Sequence, residues 1–320
     1  MRKTIAALLL GMFGTLAFAQ AYPVKSIELV VHTSAGSGGD VVSRAVAEII
    51  RRNKFLPQQL NVNNRVGGAG IVGFSYFKTK RGDPYVMMSI TGTVLVMAYR
   101  PEVAIGLENY SPLALFAIDP QTIMVPANSP YKTFKELMDA AKANPESMVA
   151  ATTSLQGTGR LVVYLMEKHL TGGAKFKVVT FKGGSEAVTS VAGGHTTFST
   201  ENLGEGISFV EGKQVRVLAI SSNQRLPQAP DIPTLTELGY PIQAGTIRGF
   251  TFTAGVPKEA VSVMETALKR AHDSPEWKEL AKRNLYQDIY MGPADFAKFL
   301  QVRMIEYKEF YDAIGLTKRP

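Results

Sequence analysis

The chain has 320 residues, 45% of them hydrophobic and 19% charged, enough for one large or two medium cores and inconsistent with disorder or a collagen-like repeat. Cysteine is absent, which excludes disulfide frameworks, thiolate nucleophiles and cysteine-based zinc sites, and the histidines His32, His169, His195 and His272 show no HxxxH spacing, so no metal is expected. The formal charge of +8 lies in short clusters (Arg51, Arg52, Lys54; Lys78, Lys80, Arg81; Lys282, Arg283) without interleaved aromatics, which reads as solvated helix ends and predicts no nucleic-acid partner.

In chain order, Arg2 and Lys3 precede an apolar run from Ile5 to Phe18 with Ala17-Phe18-Ala19 at its end, the pattern of a secretory signal and its cleavage site. Residues 1–19 are expected to be removed, leaving a mature chain that starts near Gln20 with a charge of about +6. No later stretch reaches about 18 apolar residues, so no membrane span is expected. Ile27 to Val31 reads as a strand, Thr33 to Gly39 as a loop, and Val41 to Arg52 as a helix with Asp40 as its N-cap. Leu60 to Asn63, Arg65 to Gly70 and Ile71 to Lys80 repeat that order. The proline-punctuated stretch Pro120 to Pro130 marks a boundary before a helix over Thr133 to Lys142.

Val149 to Thr152 then leads through Thr153 to Gly159 into a helix over Arg160 to Leu170. Phe176 to Phe181 leads through Lys182 to Ser185 into a helix over Glu186 to Ala192, closed by Gly193-Gly194. Val215 to Ser221 is a further strand, the chain returns near Gly245 to Gly255, and two amphipathic helices start at Pro257 and Pro293. Strands alternating with helices predict an α/β protein with mostly parallel sheets, two rather than one at this length.

In such a fold ligands sit beyond the carboxyl ends of the strands, where helix N-termini present unpaired N–H donors and a partial positive charge. The loops Thr33 to Asp40 and Thr153 to Gly159 fit that role, since glycine permits close approach and the hydroxyls of Thr33, Ser34, Thr153 and Ser154 add donors without charge. Turn formation ahead of a helix explains one such loop; the pattern in both halves points to a cleft for an anion. Gly68-Ala69-Gly70-Ile71-Val72-Gly73 matches GxGxxG and supports the alternative, an exported α/β enzyme acting on a nucleotide- or phosphate-bearing substrate. Its preceding strand is polar, however, and no acid follows at a strand end about 20 residues on. Ser75-Tyr76-Phe77-Lys78 and Ser129-Pro130-Tyr131-Lys132 satisfy SxxK no more often than chance, and GxSxG and P-loop motifs are lacking. His32 and His195 near loops read as structural rather than acid–base groups.

Several segments, in order, resemble the solute-binding proteins of the tripartite tricarboxylate transport systems, the TctC or Bug family: Tyr22 to Lys25, Gly36 to Arg44 (GSGGDVVSR), Asn64 to Gly73 (NRVGGAGIVG), Ser129 to Asn144, Phe181 to Ala187 (FKGGSEA), Gly193-Gly194, Val217 to Ser221 with the proline-rich stretch after it, and Gly249 to Pro257. The resemblance spans essentially the whole mature chain. It implies a two-lobed periplasmic-binding-protein (type II, Venus flytrap) α/β fold with a central cleft, with residues 22–121 and 248–320 in one lobe and 122–247 in the other. It also implies a periplasmic, non-enzymatic, monomeric protein without cofactor that delivers a small-molecule carboxylate to the permease subunits of a membrane transporter. The expected ligand-binding set is Thr33, Ser34, Gly39, Asp40, Thr91, Thr153, Ser154, Gln156, Gly157, Gly183, Ser185 and Arg248. The chain departs from the family at His32-Thr33, where Pro-Phe is usual, at Thr197, where an acid is usual, and at Arg248, where an aromatic is frequent. With Lys182 and Arg160 near predicted loop mouths, these departures predict a positive cleft that prefers a dicarboxylate to an amino acid.

Overall fold

The computed structural model describes residues 22–100, 102–170 and 175–317, so the expected leader at 1–19 lies outside the described residues. A first group of elements comprises β1 (Ile27–Val31), α1 (Gly38–Arg52), β2 (Leu60–Asn64), α2 (Ile71–Lys78), β3 (Val86–Ile90) and the short α3 (Thr93–Val96). The 17-residue β4 (Tyr110–Pro126) leads to α4 (Phe134–Ala143), β5 (Val149–Thr152), α5 (Thr158–Glu167), β6 (Lys177–Thr180), α6 (Gly184–Ala192), β7 (Phe198–Asn202), α7 (Leu203–Glu211) and β8 (Val215–Ile220). The return strand β9 (Gly245–Thr253) precedes α8 (Lys258–Asp273), α9 (Pro275–Arg283), β10 (Gln287–Met291) and α10 (Pro293–Ala313).

The β1 run IELVV is buried at every position but Glu28, as a strand covered on both faces requires. It lies between β2 and β3, parallel to both. Val42, Val46, Ile49 and Ile50 recur at helical spacing and turn one face of α1 into the core that also holds Leu29, Phe250 and Trp277. In the second group β5 lies between β6 and β7, again parallel to both. Leu161, Val162 and Val163 pack with Phe176 and Phe198 around it.

The expected arrangement of mostly parallel sheets is not what forms. β4 runs antiparallel to β7, β8, β9 and β10, and β9 antiparallel to β3, so the strands make one mixed path, β2-β1-β3-β9-β4-β7-β5-β6, with β8 and β10 attached to β4. Of the prolines that suggested a boundary, Pro120 and Pro126 lie inside β4 and Pro130 lies beyond it. The pairing of β4 with β9 shifts register next to Pro112, where an amide donor is missing, and shifts again between Leu115 and Ala117. Opposite Pro120, Gly245 sits so close to Ile118 and Asp119 that a side chain there would collide. The C-terminal stretch holds three helices rather than two, because Ser274 caps a new one by accepting from the Trp277 N–H with Pro275 at its first position.

Candidate functional site

The loop between β1 and α1 ends in a helix that starts at Gly38 with Ser37 as its N-cap, three residues before the position read from sequence. Asp40 is therefore inside the first turn, not at the cap. Its buried carboxylate accepts from the Gly36 N–H at 2.9 Å, from Arg44 Nε at 3.0 Å and from Asn64 Nδ2 at 2.9 Å, which holds it below the usual carboxylate range against the cost of burial. Asp40 is thus a brace of the loop, its oxygens committed within it. Thr33 Oγ1 bonds Ser37 Oγ at 2.6 Å and lies against Gly39, where a Cβ would come within 3.1 Å; Ser34 is exposed. Below the loop, His32 is buried against Phe74 and shares a 3.3 Å bond with Thr91 Oγ1. Burial, with the nearby Arg248 charge, lowers its pKa to about 4 although its own backbone contact opposes, so the imidazole is neutral. Gly70 and Gly73 of the GxGxxG match pack against His32, which gives that motif a helix-to-strand packing role.

The loop between β5 and α5 carries Thr153, Ser154, Gln156 and Gly157, with Gly157 as the N-cap of α5. The Gln156 N–H donates to Ser154 Oγ at 3.1 Å. The Gln156 carbonyl accepts from Tyr311 Oη at 3.2 Å, and Thr158 Oγ1 bonds Tyr307 Oη at 3.0 Å, so α10 reaches across to this loop. Gly92, at the turn after β3, fills the remaining gap: a Cβ there would meet Tyr307 Oη at 3.1 Å and Thr158 Oγ1 at 3.4 Å.

Between the turn after β3, the α5 loop and α10 lies a cleft of about 220 Å³ lined by Ala69, Thr91, Gly92, Thr93, Val96, Met97, Arg100, Ser154, Gln156, Gly157, Thr158, Thr246 and Tyr307; no residue of the α1 loop lines it. Of the expected residues it gathers Thr91, Ser154, Gln156 and Gly157. Sequence reasoning missed Thr93, Arg100, Thr246 and Tyr307. Arg100 offered one signal, a single cation closing the apolar run VLVMAYR; Tyr307 offered none, because it arrives from a helix some 150 positions from the loop it touches.

Arg248 is not a free clamp. Its Nη2 donates to Asp119 Oδ2 at 2.5 Å, both side chains are buried, and the guanidinium covers Gly38, where a Cβ would fall 2.5 Å from Nη2. Burial works against the guanidinium's charge, but Asp119, Tyr286 and Glu205 outweigh it and hold its pKa up, while burial pushes the Asp119 carboxyl up against the pull of Arg248. Beside them the buried Glu201 leaves Oε1 without a hydrogen-bond partner; burial, then Glu205 and Asp119, raise its pKa to about 8 although the Thr153 N–H opposes. The positive cleft expected from sequence does not form at these positions. Arg160 pairs with Glu167 at 3.3 Å, and Lys182 is exposed on the loop before α6 and does not line the cleft. Thr197 accepts from the Val149 N–H at the start of β5, the end of the strand opposite the loop, and His195 lines a separate hollow beside it. Gly183 caps α6 and Ser185 donates to the Glu205 carbonyl at 3.4 Å, both outside the cleft's lining.

No cluster of metal-ligating side chains occurs among the described residues, and no described helix is long and apolar enough to cross a membrane. A family model described as tripartite tricarboxylate transporter family receptor matches residues 42–316. The UPF0065 protein in the gbd 5' region of Cupriavidus necator is 27% identical over 98% of this chain and 94% of its own length. Among solved structures, a TctC solute-binding protein from Polaromonas superposes with a TM-score of 0.80 at 28% identity, covering 92% of this chain and all of that one. An R. palustris protein with adipate superposes with a TM-score of 0.77 at 20% identity, covering 92% of this chain and 98% of that one, a likeness of fold.

Proposed function

The chain belongs to the tripartite tricarboxylate transporter receptor family, whose members are periplasmic solute-binding proteins, and from that premise we propose that it captures a small organic carboxylate and hands it to the permease subunits of a membrane transporter. The observation that carries this reading is the pair of Gly/Ser/Thr loops at the carboxyl ends of β1 and β5, each opening onto a helix N-terminus, with a cleft of mostly uncharged lining beside the second. Neutral donors hold an anion there because the helix ends supply the field without a paired cation. Thr33, Ser34 and Gly39 on one side, with Thr153, Ser154, Gln156 and Gly157 on the other, form the pincer, and Asp40 keeps the first jaw in shape. Residues 22–121 with 248–320 and residues 122–247 act as the two lobes that close on the ligand, and the protein works as a monomer. The adipate held by a protein of the same fold supports a carboxylate as the ligand class.

The test is a thermal-shift panel of mono-, di- and tricarboxylates beside amino acids and nucleotides, followed by calorimetric titration of the best ligand. A carboxylate should stabilise the protein, and replacing Ser34 and Ser154 together by Ala should weaken its binding by about 1 kcal/mol per lost bond. Stabilisation by nucleotides alone, or unchanged affinity in the double variant, would overturn the reading.

A further inference from the structure

Of the residues that line the cleft, Arg100 alone carries a charge. It closes the turn after α3, where the chain leaves the helical conformation. Its Nη2 donates to Gln156 Oε1 at 2.9 Å, which fixes the plane of the guanidinium across the cleft. Its Nε is buried and has no hydrogen-bond partner, and no carboxylate among the described residues forms an ion pair with it. The contrast with the neighbouring cations is chemical. Arg248 is matched by Asp119 and Arg160 by Glu167, whereas Arg100 stands in a wall of threonines, a serine, a glutamine and a tyrosine hydroxyl with its charge uncompensated. A guanidinium presents its N–H groups as a fork suited to a carboxylate, and a buried N–H of that fork without an acceptor is a place for one.

We propose that Arg100 is a specificity-determining residue that reads a second anionic group of the ligand, so that the protein prefers dicarboxylates to monocarboxylates of equal length. This rests on the carboxylate reading above, and it places the second contact on the α5-loop side of the pincer, since Ser154, Gln156 and Gly157 line the cleft around Arg100 while Thr33, Ser34 and Gly39 of the α1 loop do not. The ligand is gripped at two ends: one carboxylate by neutral amides and hydroxyls, the other by Arg100.

The experiment titrates matched pairs (succinate and butyrate, glutarate and pentanoate, adipate and hexanoate) into the parent, Arg100→Gln, Arg100→Lys and Gln156→Ala. In the parent, the dicarboxylate of the best-fitting pair should bind more tightly than its partner. Arg100→Gln should cost that dicarboxylate about 10- to 100-fold while leaving the monocarboxylate within about two-fold, and Arg100→Lys should restore part of the loss by supplying charge without the fork. Gln156→Ala, which removes one residue of the pincer and frees the guanidinium, should weaken both members of each pair alike and keep the preference, and so separates a charge effect from a disturbed loop. A parent that binds monocarboxylates as tightly in every pair, or an Arg100→Gln variant that loses both members of a pair equally or neither, would overturn the assignment. A parent that binds no carboxylate would instead overturn the proposed function.

Discussion

Two loops of one composition are held in place in opposite ways. The α1 loop is braced from within its own strand group: the Asp40 carboxylate collects the Gly36 N–H, Arg44 and Asn64, and Thr33 is tied to Ser37. The α5 loop receives its supports from elsewhere in the chain, through Arg100, Tyr307 and Tyr311. A self-braced loop keeps its donors aimed whatever the rest of the molecule does. The other loop has its shape only while α10 lies against it, which couples its order to the packing of the C-terminal helix.

The groups buried beneath the two loops also titrate in opposite directions, and pH is the strongest way to break the comparison. The Glu201 carboxyl, raised to about 8, keeps a proton that the unfolded chain gives up, so stability is full below about pH 4.5 and falls as pH rises through 8, by up to about 5 kcal/mol. Glu201→Gln should flatten that decline in thermal melts between pH 5 and pH 8.5; an unchanged slope would show that the group does not carry it. His32, lowered to about 4, works the other way: its contribution is complete above about pH 6.5 and is lost as pH falls towards 4, up to about 3 kcal/mol. Its ring resonances should therefore still report a neutral imidazole at pH 5, and His32→Gln should be the less acid-sensitive protein. The smallest effect sharpens the structural half of the contrast. Tyr311→Phe removes one donor to the Gln156 carbonyl and should cost about 1 kcal/mol. Amide exchange should then quicken at 154–158 and stay as it was at 33–37.

What the sequence discloses depends on how local the cause is. β1, β5 and the loops after them are legible because a continuous apolar run followed by Gly, Ser and Thr is a short-range signature. β4 was hidden by Pro120 and Pro126, which read as punctuation, although Pro120 pairs within the strand opposite a glycine. The helix start at Gly38 was missed because Asp40 has the composition of a cap while its carboxylate serves the Gly36 N–H in the preceding turn. The electrostatics failed for a different reason. Charge at Arg248 was visible, but Asp119, which cancels it, comes from another strand 129 positions earlier, and only the β4 to β9 pairing brings the two together. Arg100 and Tyr307 belong to the same class: their meaning is created by tertiary contact.

The β4 to β9 pairing also bears on the order in which the protein is made. Tyr110 finds its partner in Thr253 and Ala117 in Arg248, so the half of β4 that faces the first group waits for more than 120 further residues before its hydrogen bonds can close. During synthesis, β1, β2 and β3 pair early, yet β3 keeps an open edge until the same return strand arrives. Such non-local closure slows folding and keeps a nascent chain extendable for longer. A sheet that cannot lock until its last third has been synthesised leaves one half of β4 and one edge of β3 unpaired for most of synthesis.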